Sequence, residues 1–248
     1  MLLTIDAGNT RVKWGLFNAD GTLLETGACL NTAITQTKLP EAKRIVISNV
    51  AGLHTKSQIE SILPKEASVH WITAKASERG VQNCYAQPTK LGTDRWAALI
   101  AAWHIKHAPC VVVNAGTAVT VDALNEHGQF IGGMILPGIQ LMQQSLGVAT
   151  AQLPTITSEK SASVVNNQYQ DIFAKNTEDA MRAGAISAAC GAVMRMHATL
   201  VALCKQTPYI LLSGGNAQLI KDNLLGDVTN PALIVDNLVL RGLYLIEN

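Results

Sequence analysis

Apolar residues open the chain at Leu2, Leu3 and Ile5, and after a short polar break they return at Val12, Trp14 and Leu16, alternating with Arg11, Lys13 and Gly15. The first run reads as a buried strand and the second as a strand with one buried face, so residues 6–15 form a tight strand-turn-strand. A turn signal, Phe17 to Gly21, leads to a third strand over Thr22 to Cys29. Residues 31–43 are polar and weakly patterned, with room for a short helix. Ile45, Val46 and Ile47 make Arg44 to Val50 a strand of a sheet covered on both faces. Thr55 to Leu63 reads as a helix stopped by Pro64, and Ser68 to Thr73 as a further strand. Between 74 and 92 periodicity is lost while Gly80, Pro88 and Gly92 recur, which predicts a long functional loop. A helix starts at Thr93, with Trp96, Leu99, Ile100 and Trp103 at helical spacing.

The pattern then starts again. Val111 to Asp122 is another apolar strand, an Ala-Gly turn and an alternating strand, followed by Asn125-Glu-His-Gly128 where the first copy has Asn18-Ala-Asp-Gly21. Asn114 falls on Asp6, Ala115 on Ala7 and Gly116 on Gly8, with an offset of one residue afterwards. Ile210 to Ala217 likewise echoes Ile45 to Gly52. Such self-similarity predicts two copies of one mixed α/β unit with a cleft between them, divided near residue 108 into domains 1–108 and 109–248. A long helix opens at Asn176-Thr-Glu-Asp179 and runs to about residue 203, with Ala180, Gly184, Ala188 and Ala192 as a small-residue stripe suited to an interface or to internal packing. The closing segment, Asn237 to Glu247, predicts a short helix that packs on the first half.

Composition narrows the partners. Charged residues are 15% of the chain and hydrophobic ones 48%, against about a quarter charged in an average domain, which points to surface buried in an oligomer. A net charge of +1 without a Lys/Arg run argues against nucleic acid or a membrane surface as a partner. Five scattered cysteines without a Cys-x-x-Cys predict a reducing compartment, and no signal peptide precedes Asp6, so a cytoplasmic protein is expected. No apolar stretch approaches the length that spans a bilayer.

The opening turn carries the first candidate chemistry. Gly8 and Asn9 tolerate positive φ, which would fold the turn back and aim backbone N–H groups at phosphate oxygens. Asp6 suits a hydrated divalent ion and Lys13 a point charge on the phosphates. A plain hairpin fits the same residues, with Asp6 steadying the turn. Two such turns facing each other would bracket a polyphosphate, with Thr117 on the second, as phosphoryl transfer requires. The second cluster is Asn83, Tyr85, Pro88 and Leu91-Gly-Thr-Asp-Arg95. Gly92 permits close approach to the backbone, Asp94 at a helix start can accept a hydroxyl proton, and Arg95 can clamp a carboxylate. The plain alternative makes Thr93 or Asp94 an N-cap and Arg95 a surface charge. Thr177 is a cap or a substrate contact. His104 and His107 lack a third metal ligand.

Together these motifs resemble the type III pantothenate kinases. The resemblance rests on Asp6-Ala-Gly-Asn-Thr10, Tyr85 with Gly92-Thr-Asp-Arg95, Ala115-Gly-Thr117, Gly132 to Gly138 and Asn176-Thr177, in that order over nearly the whole chain. It implies two ribonuclease H-like domains of the actin, sugar kinase and heat-shock ATPase superfamily. It also implies ATP-dependent phosphorylation of pantothenate to 4′-phosphopantothenate, the first step of coenzyme A synthesis. By that resemblance Asp6, Ala7, Gly8, Asn9, Thr10, Arg11, Val12, Lys13 and Thr117 bind ATP phosphates, and Asp94 is the proton acceptor. Tyr85, Gly92, Thr93, Asp94, Arg95 and Thr177 bind pantothenate. A divalent ion such as Mg2+, held by Asp6, a monovalent cation (K+ or NH4+) and a homodimer with the active site near the subunit interface are implied too. One departure stands out: Asn114 occupies the position where the family usually carries an aspartate for the monovalent cation, which predicts a weakened or altered potassium response. Two rivals remain from the residues. One is a regulator similar to the Bvg accessory factors, and the other a phosphotransferase or phosphohydrolase with another substrate.

Overall fold

The structure, a computed structural model, describes residues 1–149, 153, 172–224 and 232–248. It divides into two compact units, Met1–His107 with Glu126–Ile131 and Asn237–Asn248, and Ala108–Asn125 with Gly132–Asp236.

In the first unit the strands are β1 (Leu2–Ala7), β2 (Arg11–Phe17), β3 (Leu23–Leu30), β4 (Arg44–Asn49) and, after helix α1 (Gly52–Ile62), β5 (Ser68–Trp71). They form one sheet in the order β3-β2-β1-β4-β5. β1 is central, antiparallel to β2 and parallel to β4, and this register sets Lys13 and Ser48 on either side of Asp6. Leu3, Ile5, Val12, Trp14, Ile45, Ile47 and Ile59 build the core beneath it. Position 27 must be glycine because a Cβ there would enter the Trp14 ring. The stretch after β5, expected to be a long functional loop, is not loop throughout. It holds β6 (Ser77–Glu78) and β7 (Val81–Asn83), paired antiparallel around Arg79 and Gly80. Both turn residues have positive φ, 51° and 79°, as a tight two-residue hairpin requires. Two strands this short carry no readable periodicity. Helix α2 (Thr93–Lys106) follows, with every residue from Arg95 to Ala102 buried.

The second unit contains β8 (Cys110–Ala115), β9 (Ala118–Leu124), β10 (Gln129–Pro137), α3 (Ile139–Ala149), α4 (Thr177–Cys204), β11 (Tyr209–Ser213), α5 (Ala217–Asp222) and β12 (Ala232–Ile234). The first residues of β10, 129–131, belong to the first unit, where Phe130 pairs with Asn83 of β7. The sheet order here is β12-β11-β8-β9-β10. β9 is antiparallel to β8 and β11 parallel to it, repeating the relation of β2 and β4 to β1, and Ser213 stands beside Asn114 as Ser48 stands beside Asp6. Val111, Val113, Val119 and Val121 pack with Ala189, Val193 and Leu200 of α4 in this unit's core.

α4 corrects one expectation. By length and composition it is apolar enough to cross a bilayer, because its many alanines with scattered Met, Val, Leu, Ile and Cys raise its mean hydropathy without a long Leu or Ile run. Its Met181, Ala185, Ile186, Ala189, Val193 and Leu200 are buried within the unit, as in a core helix. The stripe residues Ala180, Gly184 and Ala188 lie on its exposed face.

The last helix, α6 (Leu238–Glu247), belongs to the first unit and packs on α2. The two backbones touch at Gly242, where a Cβ would fall 1.8 Å from Ala97 O. Tyr244 stacks on Phe17 at 4.9 Å between ring centroids and donates its hydroxyl to Ala19 O at 3.0 Å.

Candidate active site

Asp6 lies near the carboxyl end of the central strand of its sheet, the usual place for a ligand site in an α/β fold. Lys13 is its cross-strand neighbour on β2. The turn between them departs from expectation: neither Gly8 nor Asn9 has positive φ. Gly8 is favoured by crowding, since a Cβ there would sit 3.3 Å from Arg11 O, and Gly8 N–H closes the hairpin on that same oxygen at 3.1 Å. Asn9, Thr10, Arg11 and Lys13 are exposed, while Ala7 and Val12 are buried beneath them.

Ser48, fully buried at the end of β4, joins this strand end to helix α2. Its hydroxyl lies 2.9 Å from that of Thr93, the first residue of the helix, and it also hydrogen-bonds Asp6. The N-cap of α2 is Gly92, with no side-chain cap, so neither Thr93 nor Asp94 serves as one. Asp94 Oδ1 instead accepts the Arg95 N–H at 2.8 Å.

Burial raises the pKa of Asp94, against the pull of the Arg95 amide and guanidinium. The pKa of Asp6 is pushed up to about 7, first by burial and next by the negative charge of Asp94, against Lys13 and the Ser48 hydroxyl. The two carboxylates therefore feel each other. Asp6 Oδ1 has no hydrogen-bond partner, although it is buried. A desolvated carboxylate oxygen without a donor, next to a second carboxylate, fits a divalent cation. Among the described residues no cluster of three His, Cys, Asp or Glu side chains is gathered. His104 Nε2 instead lies 3.0 Å from Arg79 O.

Arg95 is no surface charge: it is 6% exposed. Its guanidinium lies over the rings of Tyr85 and Phe130, at 5.8 and 5.7 Å from their centroids, and donates to the Tyr85 hydroxyl at 3.1 Å. Buried Asn83 secures the segment that carries Tyr85, accepting Tyr85 N–H and donating to Pro88 O, each at 3.1 Å. One unit thus brings together Asp6, Lys13, Thr93, Asp94, Arg95 and Tyr85. Phe130 and Ser48 join them without having been singled out from sequence, since neither sits in a turn or beside a glycine.

In the second unit, Asn114 is half-buried at the end of β8 and Thr117 is exposed on the turn to β9. Gly138 approaches this turn closely, its N–H bonding Thr117 O at 2.8 Å where a Cβ would lie 2.5 Å from the same oxygen. The cap of α4 is Asn176, which accepts the Asp179 N–H at 2.9 Å, leaving Thr177 as an exposed first helical residue and not the cap.

Solved structures with the same fold define the class. They include an activator of 2-hydroxyisocaproyl-CoA dehydratase from Clostridium difficile with bound ADPNP (TM-score 0.52, 12% identity, 99% of this chain and 94% of that one). The acetate kinase of Porphyromonas gingivalis matches similarly (TM-score 0.52, 11% identity, 99% and 98%). So does a Campylobacter jejuni protein assigned to the Baf family of transcriptional activators (TM-score 0.59, 20% identity, 98% and 96%). The fold is the one these kinases and activators share, mixed α/β with two sheets. A family model described as type III pantothenate kinase matches residues 2–199. Type III pantothenate kinases from Nitrosospira multiformis and Nitrosomonas eutropha are each 41% identical, over 251 and 254 residues, covering 99% of this chain and 90% and 93% of theirs. The chain belongs to the type III pantothenate kinase family.

Proposed function

We infer that this chain transfers the γ-phosphoryl group of ATP to the terminal hydroxyl of pantothenate, giving 4′-phosphopantothenate and ADP in the first step of coenzyme A synthesis, in the cytoplasm. The observation that carries this reading is Asp94, a carboxylate of raised pKa on the first turn of a buried helix, within electrostatic reach of Asp6. Family membership supplies the substrate.

The chain's own groups then divide the work. Asp94 accepts the proton of the hydroxyl as its oxygen bonds to the γ-phosphorus, and the bond from that phosphorus to the bridging oxygen breaks as ADP leaves. A raised pKa makes Asp94 a stronger base than a solvated aspartate. Arg95, held rigid by Tyr85 and Phe130, offers its charge to the pantothenate carboxylate, with Tyr85, Gly92, Thr93 and Thr177 as further contacts. Residues Asp6 to Lys13 hold the ATP phosphates and Thr117 adds a contact. Asp6 holds Mg2+, which when bound neutralises phosphate charge. Asn114 offers a neutral amide oxygen to K+ or NH4+. The low charge content supports a homodimer whose active site lies near the subunit interface.

ATP turnover with and without pantothenate tests the reading. ADP release should require pantothenate, and Asp94→Asn should lower kcat at least about a hundredfold with little change in KM for ATP. ADP release that ignores pantothenate would overturn the acceptor and favour another phosphotransferase or a phosphohydrolase.

A further inference from the structure

The turn between β1 and β2 is shaped by a residue outside it. Asn31, immediately after β3, points its side-chain amide at two carbonyls of that turn, with Nδ2 3.0 Å from Gly8 O and 3.0 Å from Asn9 O. Its backbone N–H reaches Thr10 O at 3.2 Å. Three successive carbonyls are therefore drawn towards one residue. In a trans peptide the C=O and the following N–H point in opposite directions, so the N–H groups of Asn9, Thr10 and Arg11 are turned away from Asn31. A turn without a positive-φ residue thereby faces these three N–H groups away from Asn31.

We propose that Asn31 is a positioning residue for ATP: it holds back the carbonyls of residues 8–10 so that the following amides converge on the phosphates. The proposal rests on the ATP reading above. The chemistry of the side chain supports it. One nitrogen with two hydrogens bridges two adjacent carbonyls, and the reversed amide would set Oδ1 against both oxygens. Oδ1 itself has no partner, so the side chain acts here only as a donor. An aspartate has the same shape and no hydrogen to give when ionised.

The experiment compares the wild-type chain with Asn31→Asp, Asn31→Ala and Asn31→Ser, reading MgATP affinity by titration calorimetry, KM for each substrate, and melting temperature. MgATP should bind about tenfold or more weakly in Asn31→Asp and Asn31→Ala and by a smaller factor in Asn31→Ser, which keeps one donor. KM for pantothenate should stay within about twofold, because Asn31 lies on no element that carries the pantothenate contacts. MgATP affinity unchanged in the variants would overturn the proposal, as would equal losses for both substrates with a lowered melting temperature, the mark of a general structural role. If Asn31→Asp fails to fold, the order wild type, Asn31→Ser, Asn31→Ala decides, and a flat order is fatal. A wild-type chain that does not bind MgATP would instead remove the ATP reading itself.

Discussion

Gly92 and Asp94 compete for one space: a Cβ on Gly92 would stand 2.7 Å from Asp94 Oδ1. The backbone there, φ −56° and ψ 136°, suits any residue, so the glycine answers a need for room and not for torsion. An added methyl would push a movable carboxylate before it disturbed the helix. Gly92→Ala should therefore keep a melting temperature near the wild type and lower kcat by about tenfold to a hundredfold, as a misplaced base does. Unchanged kcat in this variant would falsify the base assignment for Asp94.

Asp6 ties stability to pH. Its folded pKa, about 7, lies above the ordinary aspartate value of 3.8, so the folded state holds a proton that the unfolded chain releases between those values. The resulting stabilisation is complete below about 3.8 and is lost as pH rises through about 7. Asp6→Asn, which removes the charge, should raise the melting temperature at pH 8, and the gain should shrink on acidification. Melting curves from pH 5 to pH 8 check this, and a constant difference between the two chains would refute it.

The same proton opposes cations. If Asp6 holds the divalent ion, Mn2+ must displace that proton at pH 6 but hardly at pH 8. Calorimetry in buffers of different ionisation enthalpy should show proton release approaching one per ion at the lower pH. Equal release at both would contradict the assignment of Asp6.

Asn114 gives a further outcome. Potassium stimulation of the wild-type chain should be weak, and Asn114→Asp should increase it by adding a charge at the end of β8. Matching potassium titrations of the two chains would dismiss any role for this position.

The contact of Gly242 with Ala97 predicts a stability defect far from the chemistry. Gly242→Ala places a methyl against backbone that cannot swing aside. The cost should be about 1–3 kcal/mol or more, and the melting temperature should fall by about 2–4 °C for each. A melting temperature at or above the wild type would show that α2 and α6 can separate freely.

Much of this was legible in the sequence wherever several residues repeat one signal. The hairpins at Asp6 and Asn114, each followed by a positive-φ glycine at Gly21 and Gly128, announced the repeated unit. Asp94 and Arg95 stood out because a glycine and a helix start frame them. What stayed hidden depends on contacts distant in the chain. Asn31 acts on residues more than twenty positions earlier, Ser48 meets Thr93 across forty-five, and Phe130 closes the Arg95 slot from the start of β10. The turn at Gly8 misled for the same reason, since Asn31 bonds its carbonyls from outside the turn.

Because α6 packs on α2 and yet follows the whole of residues 132–236 in the sequence, the helix bearing Asp94 stays uncovered on that side during synthesis until residues 238–247 have been made. Nascent chains stalled before Leu238 would expose the Ala97 side of α2 to solvent and to chaperones. Packing of α2 is thus completed only once α6 has left the ribosome.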